Sequence, residues 1–225
     1  MSSTQSLLSD APRPSTAASN DALVWHRRLC FVGDRLLISG DLSRDSDEAA
    51  AQVIEWSEAG VCGVIDCRGE YSDATLVAEL APEIRYTHIG IDDDGGPRPD
   101  TWFDSGVDRA LDTLARTEGR VLVHCHMGIN RGPSMAFAIL LALGWESIAA
   151  LEAIRSARPI AALIYADDAV DWWTRRCGKS PNQVARARAK VTRWQEANQI
   201  DIYGVISRIR LGPSQDERSP GSKTS

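Results

Sequence analysis

The stretch "VLVHCHMGINRGPSMAFAILLALGW", residues 121–145, decides how the chain folds. It opens with a short valine-rich apolar run, which reads as a buried strand over 120–124. It ends with a longer apolar run that has Pro133 in its first turn and Gly144 at its close, which reads as a buried helix starting near Arg131. The loop 125–131 between them therefore sits at the carboxyl end of a strand and at a helix N-terminus. Open α/β sheets bind ligands there. Unsatisfied N–H groups and the positive end of the helix dipole select an anion. Gly128 and Gly132 let the backbone turn its amides inward, and Arg131 adds a planar fork of donors that suits phosphate oxygens. Cys125 would then be a sulfur nucleophile beneath a bound oxyanion, placed to attack phosphorus. A lone cysteine is more often an inert buried residue. Here cysteine, glycine and arginine coincide in one strand-to-helix turn, and an arginine buried there without an anion would be costly.

Outward from this turn the same alternation continues. Strands are expected near 29–32 and 35–39, as a hairpin around Gly33-Asp34, and at 61–67 and 84–91. Helices are expected near 46–59, 74–80 and 101–117, and "DDDGGPRPD", residues 92–100, must be a loop. Three helical segments follow, "WESIAALEAIRSAR", "LIYADDAVDWWTRRCG" and "SPNQVARARAKVTRWQEANQ", the last with Ser180 as N-cap and Pro181 at N1. Strands alternating with helices imply an α/β fold with a central, mainly parallel sheet flanked by helices. Residues 1–22 and 212–225 are rich in small, polar residues and proline and read as disordered tails.

Bulk composition narrows the function. The 225 residues are 43% hydrophobic and 25% charged, as in a soluble globular protein with a real core. The net charge of −6 argues against whole-surface attraction to nucleic acid or anionic membrane. The longest apolar run, Met135–Leu143, is too short to span a bilayer, and the N-terminus lacks the basic and apolar regions of a secretory signal. Five cysteines without regular spacing favour free thiols and a cytoplasmic location.

"HCHMGINR" fits the pattern His-Cys-x-x-Gly-x-x-Arg and resembles the signature loop of the cysteine-dependent protein tyrosine phosphatases. The continuation "RGPSMAFAILLALGW" is most similar to the compact dual-specificity phosphatases. The resemblance covers roughly residues 30–175 and implies a catalytic domain over 23–178, with a C-terminal helical extension over 179–211. It implies hydrolysis of phosphomonoesters, on protein tyrosine and serine or threonine, through a phosphocysteine intermediate and without a cofactor or metal. Cys125 would be the nucleophile and Arg131 would bind the phosphate. Main-chain N–H groups of His126, Met127, Gly128, Ile129, Asn130 and Arg131 would cradle its oxygens. His124 would order the loop and tune the thiolate. In such enzymes a general acid lies on the loop one strand and one helix earlier. That places it at Asp93 in "IGIDDDGGPRPDTWF", with Asp94 as the alternative. Relatives usually carry Ser or Thr after the arginine, where this chain has Gly132. Ser134 or a loop amide would have to replace that hydroxyl, or else the second step is slow. Some relatives form a reversible disulfide, which would pair Cys67 with Cys125.

Other readings share the loop. The ending Gly-x-Asn-Arg is similar to RNA 5′-triphosphatases of the same superfamily, so an RNA end is an alternative substrate. A phosphoinositide is another, although the loop lacks a lysine to hold extra phosphates. A weakly active module that only binds phosphoproteins is a third. His124 and His126 flank Cys125, but neighbouring strand residues face opposite ways, which argues against a metal site. The stretch 171–210 carries nine Lys or Arg (Arg175, Arg176, Lys179, Arg186, Arg188, Lys190, Arg193, Arg208 and Arg210) and three acidic residues. It reads either as a solvated helix face or as a patch that attracts a polyanionic substrate. Trp172, Trp173 and Trp194 fall at spacings that suggest core packing.

Overall fold

The computed structural model describes residues 22–212, and the statements below concern those residues. Five strands form one sheet: β1 Cys30–Val32, β2 Leu36–Ser39, β3 Val61–Arg68, β4 Arg85–Ile91 and β5 Arg120–His124. Their spatial order is β1-β2-β5-β3-β4. The first two form an antiparallel hairpin whose turn contains Gly33 at φ +63°. All other neighbours are parallel. The mainly parallel α/β sheet expected from the alternation is therefore present. Because β2 to β5 run the same way, their carboxyl ends share one edge. The segments that follow them, at Asp41, Glu70, Asp93 and Cys125, meet there.

The flanking helices are α1 Ala22–His26, α2 Ser46–Glu58, α3 Ala74–Leu80, α4 Asp100–Arg116, α5 Arg131–Ala142, α6 Ser147–Ala157, α7 Ala166–Arg176, α8 Pro181–Ala197 and α9 Ile202–Leu211. Strand alternation divides the core. Val121, Val123 and Cys125 face α4 and α5 with Phe103, Phe137 and Trp172, while Leu122 faces α2 with Val53 and Trp56. Val191 and Trp194 of α8 join the first of these cores. A third cluster unites Ala22 of α1, Val205 of α9, Ile160 and loop residue Ile129, with Trp25 and Met127 packed against it.

Several boundaries differ from expectation. Ala22 is buried in α1 and not in a tail, and Gly212 ends α9 at φ +69°. The rest of both expected tails lies outside the described residues. The helix expected at 101–117 starts one residue earlier, because Pro99 takes the cap position and Asp100 the first turn. The segment from Leu163 becomes helical only at Ala166. Leu163 is left-handed at φ +58°, and Ile164 N–H is bonded to the Asn130 side chain (2.8 Å). The basic stretch is partly neutralised. Arg175 pairs with Asp100, Arg176 with Asp104 and Asp108, Arg188 with Asp167 and Asp171, and Lys190 with Glu146. Trp172 and Trp194 are buried, and Trp173 is partly so.

Candidate active site

Residues 125–130 form a loop whose carbonyls from His126 to Ile129 are all held from outside. His126 O accepts from Asp41 N–H (2.9 Å) and lies 3.2 Å from His26 Nε2. Met127 O and Gly128 O accept from Arg158 Nη2 and Nε (3.2 and 2.6 Å), and Ile129 O accepts from Ala162 N–H (2.7 Å). A trans peptide is planar, so a carbonyl pointing outward sends the next N–H the opposite way. The amides of Met127, Gly128, Ile129 and Asn130 therefore converge on the loop's interior. Among the described residues, no backbone acceptor meets the N–H groups of 126–130. Convergent, unpaired N–H groups make an anion nest. Gly128 sits at φ +63°, and a Cβ there would run into the Arg158 guanidinium and Ser39 O, so both conformation and space demand glycine.

Arg158 itself is fully buried and meets no carboxylate among the described residues. Its other contacts are with His26 O (2.9 Å), Arg28 O (3.2 Å) and Cys30 Sγ (3.4 Å). It thus ties the underside of the loop to the segment around α1.

Arg131, 3% exposed, closes the other side. Its Nη1 and Nη2 grip Glu70 end-on (2.9 and 2.7 Å), and Nη1 also donates to Ile91 O (2.8 Å). Burial opposes ionisation of Glu70, but this pairing holds its carboxyl below the usual range. A guanidinium has five N–H groups. Three are engaged, and the remaining two, on Nε and Nη2, share the side-on edge. Nε is buried with no hydrogen-bond partner among the described residues. That edge matches two oxygens of a tetrahedral oxyanion.

Asp93 stands at that edge, with Oδ2 3.5 Å from Arg131 Nε. Its other oxygen, Oδ1, accepts from Asn130 Nδ2 and from Tyr165 O–H, both at 2.6 Å. Burial and the Asp93 contact push the Tyr165 phenol up to about 12, so it remains a donor. Asp94 is turned elsewhere. It bonds Gly96 N–H and Arg98, which hold its carboxyl below the usual range.

His124 lies on the opposite face of the sheet from Cys125. Its ring sits between Trp56 and Tyr86, and neither nitrogen has a hydrogen-bond partner among the described residues. Burial lowers its pKa and keeps it neutral. Its Nε2 lies 3.7 Å from Asp66 Oδ1. His126 turns instead to Asp41, so the two histidines diverge. Ser134 Oγ accepts from Tyr165 N–H (3.3 Å) and lies 3.4 Å from Asn130 Oδ1. It supports the side chain that holds Asp93. Gly132 packs against the β5 backbone, where a Cβ would come 3.2 Å from His124 C and 3.3 Å from Cys125 N. Cys67 is fully buried on the same sheet face as Cys125, and burial pushes its thiol well up. All five cysteines are free.

Neither a family model nor a curated protein matches the chain by sequence. Solved structures do match its fold. A variant of human DUSP28 aligns with TM-score 0.56 and 18% identity over 68% of this chain and 98% of that one. Tk-PTP in its active form aligns with TM-score 0.53 and 17% identity over 66% and 97%. PTPMT1 in complex with PI(5)P aligns with TM-score 0.51 and 20% identity over 68% and 99%. This is the fold of the dual-specificity phosphatases.

The dual-specificity phosphatase fold also explains what the sequence left unseen. Glu70, Asp41, Arg158 and Tyr165 reach the loop from four distant segments. Glu70 and Asp41 each follow the carboxyl end of a parallel strand, which is the signal that could have singled them out. Arg68 shapes the turn that carries Glu70. It is buried between Asp66 and Asp73 (2.9 and 2.6 Å) and lies over the Tyr71 ring (4.3 Å).

Proposed function

We propose that the chain is a cysteine-dependent phosphatase that hydrolyses phosphomonoesters of protein tyrosine and serine or threonine through a phosphocysteine intermediate, without a metal. The observation that carries this reading is the Nε/Nη2 edge of Arg131, whose Nε makes no hydrogen bond among the described residues, together with the convergent, unpaired amides of the loop that begins at Cys125. These donors compensate the charge of a phosphate dianion as phosphorus is transferred. In the first step the Cys125 sulfur bonds to phosphorus and the ester oxygen leaves. It takes a proton from Asp93. Because Oδ1 is occupied by two donors, that proton resides on Oδ2, the oxygen beside Arg131. In the second step water attacks phosphorus and passes a proton to Asp93, left ionised by the first step, while the sulfur leaves with its electron pair and phosphate is released.

A single phosphate on a protein suits the surroundings better than a polyanion. Glu70 and Asp93 stand beside a loop that has no lysine, so further phosphates of an RNA end or an inositol ring would meet acidic groups. The shared fold with Tk-PTP and DUSP28 supports the same class of chemistry.

The test is turnover of p-nitrophenyl phosphate in EDTA, followed by phosphopeptides of each kind. Cys125→Ser is expected to retain oxyanion binding and to fall below about one percent of wild-type turnover. Arg131→Lys is expected to fail as well, since an ammonium offers no planar fork. Tight phosphate binding without turnover in the wild-type protein would instead establish a binding module.

A further inference from the structure

Arg158 is a buried cation that the phosphatase reading does not use. All five of its guanidinium N–H groups are spent. Nε donates to Gly128 O (2.6 Å), Nη2 to His26 O and Met127 O (2.9 and 3.2 Å), and Nη1 to Arg28 O and Cys30 Sγ (3.2 and 3.4 Å). None is left for a substrate, so Arg158 makes no hydrogen bond to a bound phosphate. No carboxylate bonds it either, among the described residues. Asp41, on the segment after β2, is taken by His126, His26 and Tyr71 instead. Neutral donors would satisfy four carbonyls and a thiol equally well. A guanidinium keeps its charge inside a protein, and burying it without an anion is costly.

The hydrogen bonds of the loop show where its anion belongs. Met127 O and Gly128 O share their peptide groups with the N–H groups of Gly128 and Ile129, which point the opposite way into the nest. Arg158 therefore stands behind two amides whose front meets the oxyanion. A hydrogen bond to the carbonyl of an amide polarises its N–H. One peptide group and two hydrogen bonds put the guanidinium roughly 8 Å from a bound oxygen. Arg158 is fully buried, so solvent does not screen that interaction. The front of the site cannot supply the same charge. Arg131 is already gripped by Glu70 (2.9 and 2.7 Å), and Asp93 Oδ2 lies 3.5 Å from its Nε.

We propose that Arg158 is the buried counter-charge of the bound phosphate, acting through the amides of Gly128 and Ile129 without touching the ligand, a role that rests on the phosphatase reading. Arg131 then gives the site its direction, and Arg158 gives it the positive charge that no protein carboxylate cancels. Arg158 is a positioning residue in this scheme, because it acts only through the loop.

Calorimetric binding of inorganic phosphate to the full-length chain tests it, with a melting curve for each variant. The first pair of variants leaves Arg158 in place. Cys30→Asp gives the guanidinium a carboxylate of its own, where the sulfur now accepts from Nη1. Cys30→Asn has the same shape without the charge. Phosphate should bind about tenfold more weakly to Cys30→Asp than to Cys30→Asn. The second pair changes Arg158 itself. Arg158→Lys keeps the charge and loses the planar fork, whereas Arg158→Gln keeps a planar donor and loses the charge. Arg158→Lys should bind phosphate about tenfold more tightly than Arg158→Gln. Each pair decides by itself, so a variant that fails to fold leaves the other pair to settle the matter. Equal affinities within a folded pair would overturn the inference, make Arg158 a clamp for the loop, and leave the phosphatase reading intact. No phosphate binding by the wild-type protein would overturn that reading, and this inference with it.

Discussion

Asp93 receives both of its protein hydrogen bonds on one oxygen, and that geometry separates its role from that of the neighbouring carboxylates. Asp93→Asn should slow alkyl phosphates by about 10²-fold or more and aryl phosphates little, because only a poor leaving group needs the proton. Tyr165→Phe should show the same pattern in weaker form, since one of the two donors to Oδ1 is lost. Steady-state rates across a leaving-group series check this, and a larger loss in Asp94→Asn would move the acid. Gly132 calls for a different expectation from the one its missing hydroxyl suggests. Its φ is not left-handed, but its Cβ position faces the backbone of His124 and Cys125 within 3.4 Å. Gly132→Ser should therefore push α5 away from β5 and lower both turnover and melting temperature. A faster second step in that variant would refute the steric reading. The loop's chemistry was legible because Cys125, Gly128 and Arg131 are adjacent in sequence. The residues that aim it were not, because Glu70, Asp41 and Arg158 come near only through the sheet edge and the α1 segment.

At the scale of elements, register and docking decide what the strands and helices can do. Asp66 is the partner of His124 in the parallel pairing of β3 with β5, so Cys67 follows beside Cys125. Neighbouring strands run about 4.8 Å apart, within the Cα separation that a disulfide bridges. Mild peroxide should inactivate the protein reversibly, and mass spectrometry should find a Cys67–Cys125 peptide. In Cys67→Ser no such peptide should form, and more of the loss should become irreversible because an unprotected sulfenate oxidises further. Recovery of that variant by thiols as complete as that of the wild type would exclude a protective pairing. Helix α9 holds its place through Val205, 2% exposed, and through Ile202, Ile206 and Ile209. Val205→Ala should cost roughly 1–3 kcal/mol and lower the melting temperature by about 2–4 °C per kcal/mol. The long helices announced themselves by caps and periodicity, as Ser180 and Gln183 do at α8. The five residues of α1 are too few to show a period, and tertiary contacts with α9 and Arg158 make it a helix.

Over the whole molecule, buried ionisable groups set the response to acid. The folded state depresses the pKa of His124 by burial, so the unfolded chain binds a proton that the folded chain refuses. Stability should therefore fall as pH drops below about 6.5. Asp41, Asp66 and Glu70 are each held below their ordinary values despite burial, by His126, by Arg68 and by Arg131 respectively. Their contribution is complete above the unfolded carboxylate range and is lost as pH falls below about 4. Denaturant melts from about pH 7 to 3 should show both stages, and His124→Phe should remove the upper one. A flat wild-type profile between about pH 6.5 and 5 would contradict the neutral, buried His124. The third apolar cluster has a consequence of another kind. It joins α1 to α9 across the outer wall of the loop, through Ala22, Ile129 and Val205. The ribosome makes the loop long before it makes α9. A nascent chain that already holds Cys125 and Arg131 still lacks one wall of its anion nest, so activity is expected to switch on only after α9 has emerged and docked. Phosphatase assays on stalled chains of increasing length would time that event.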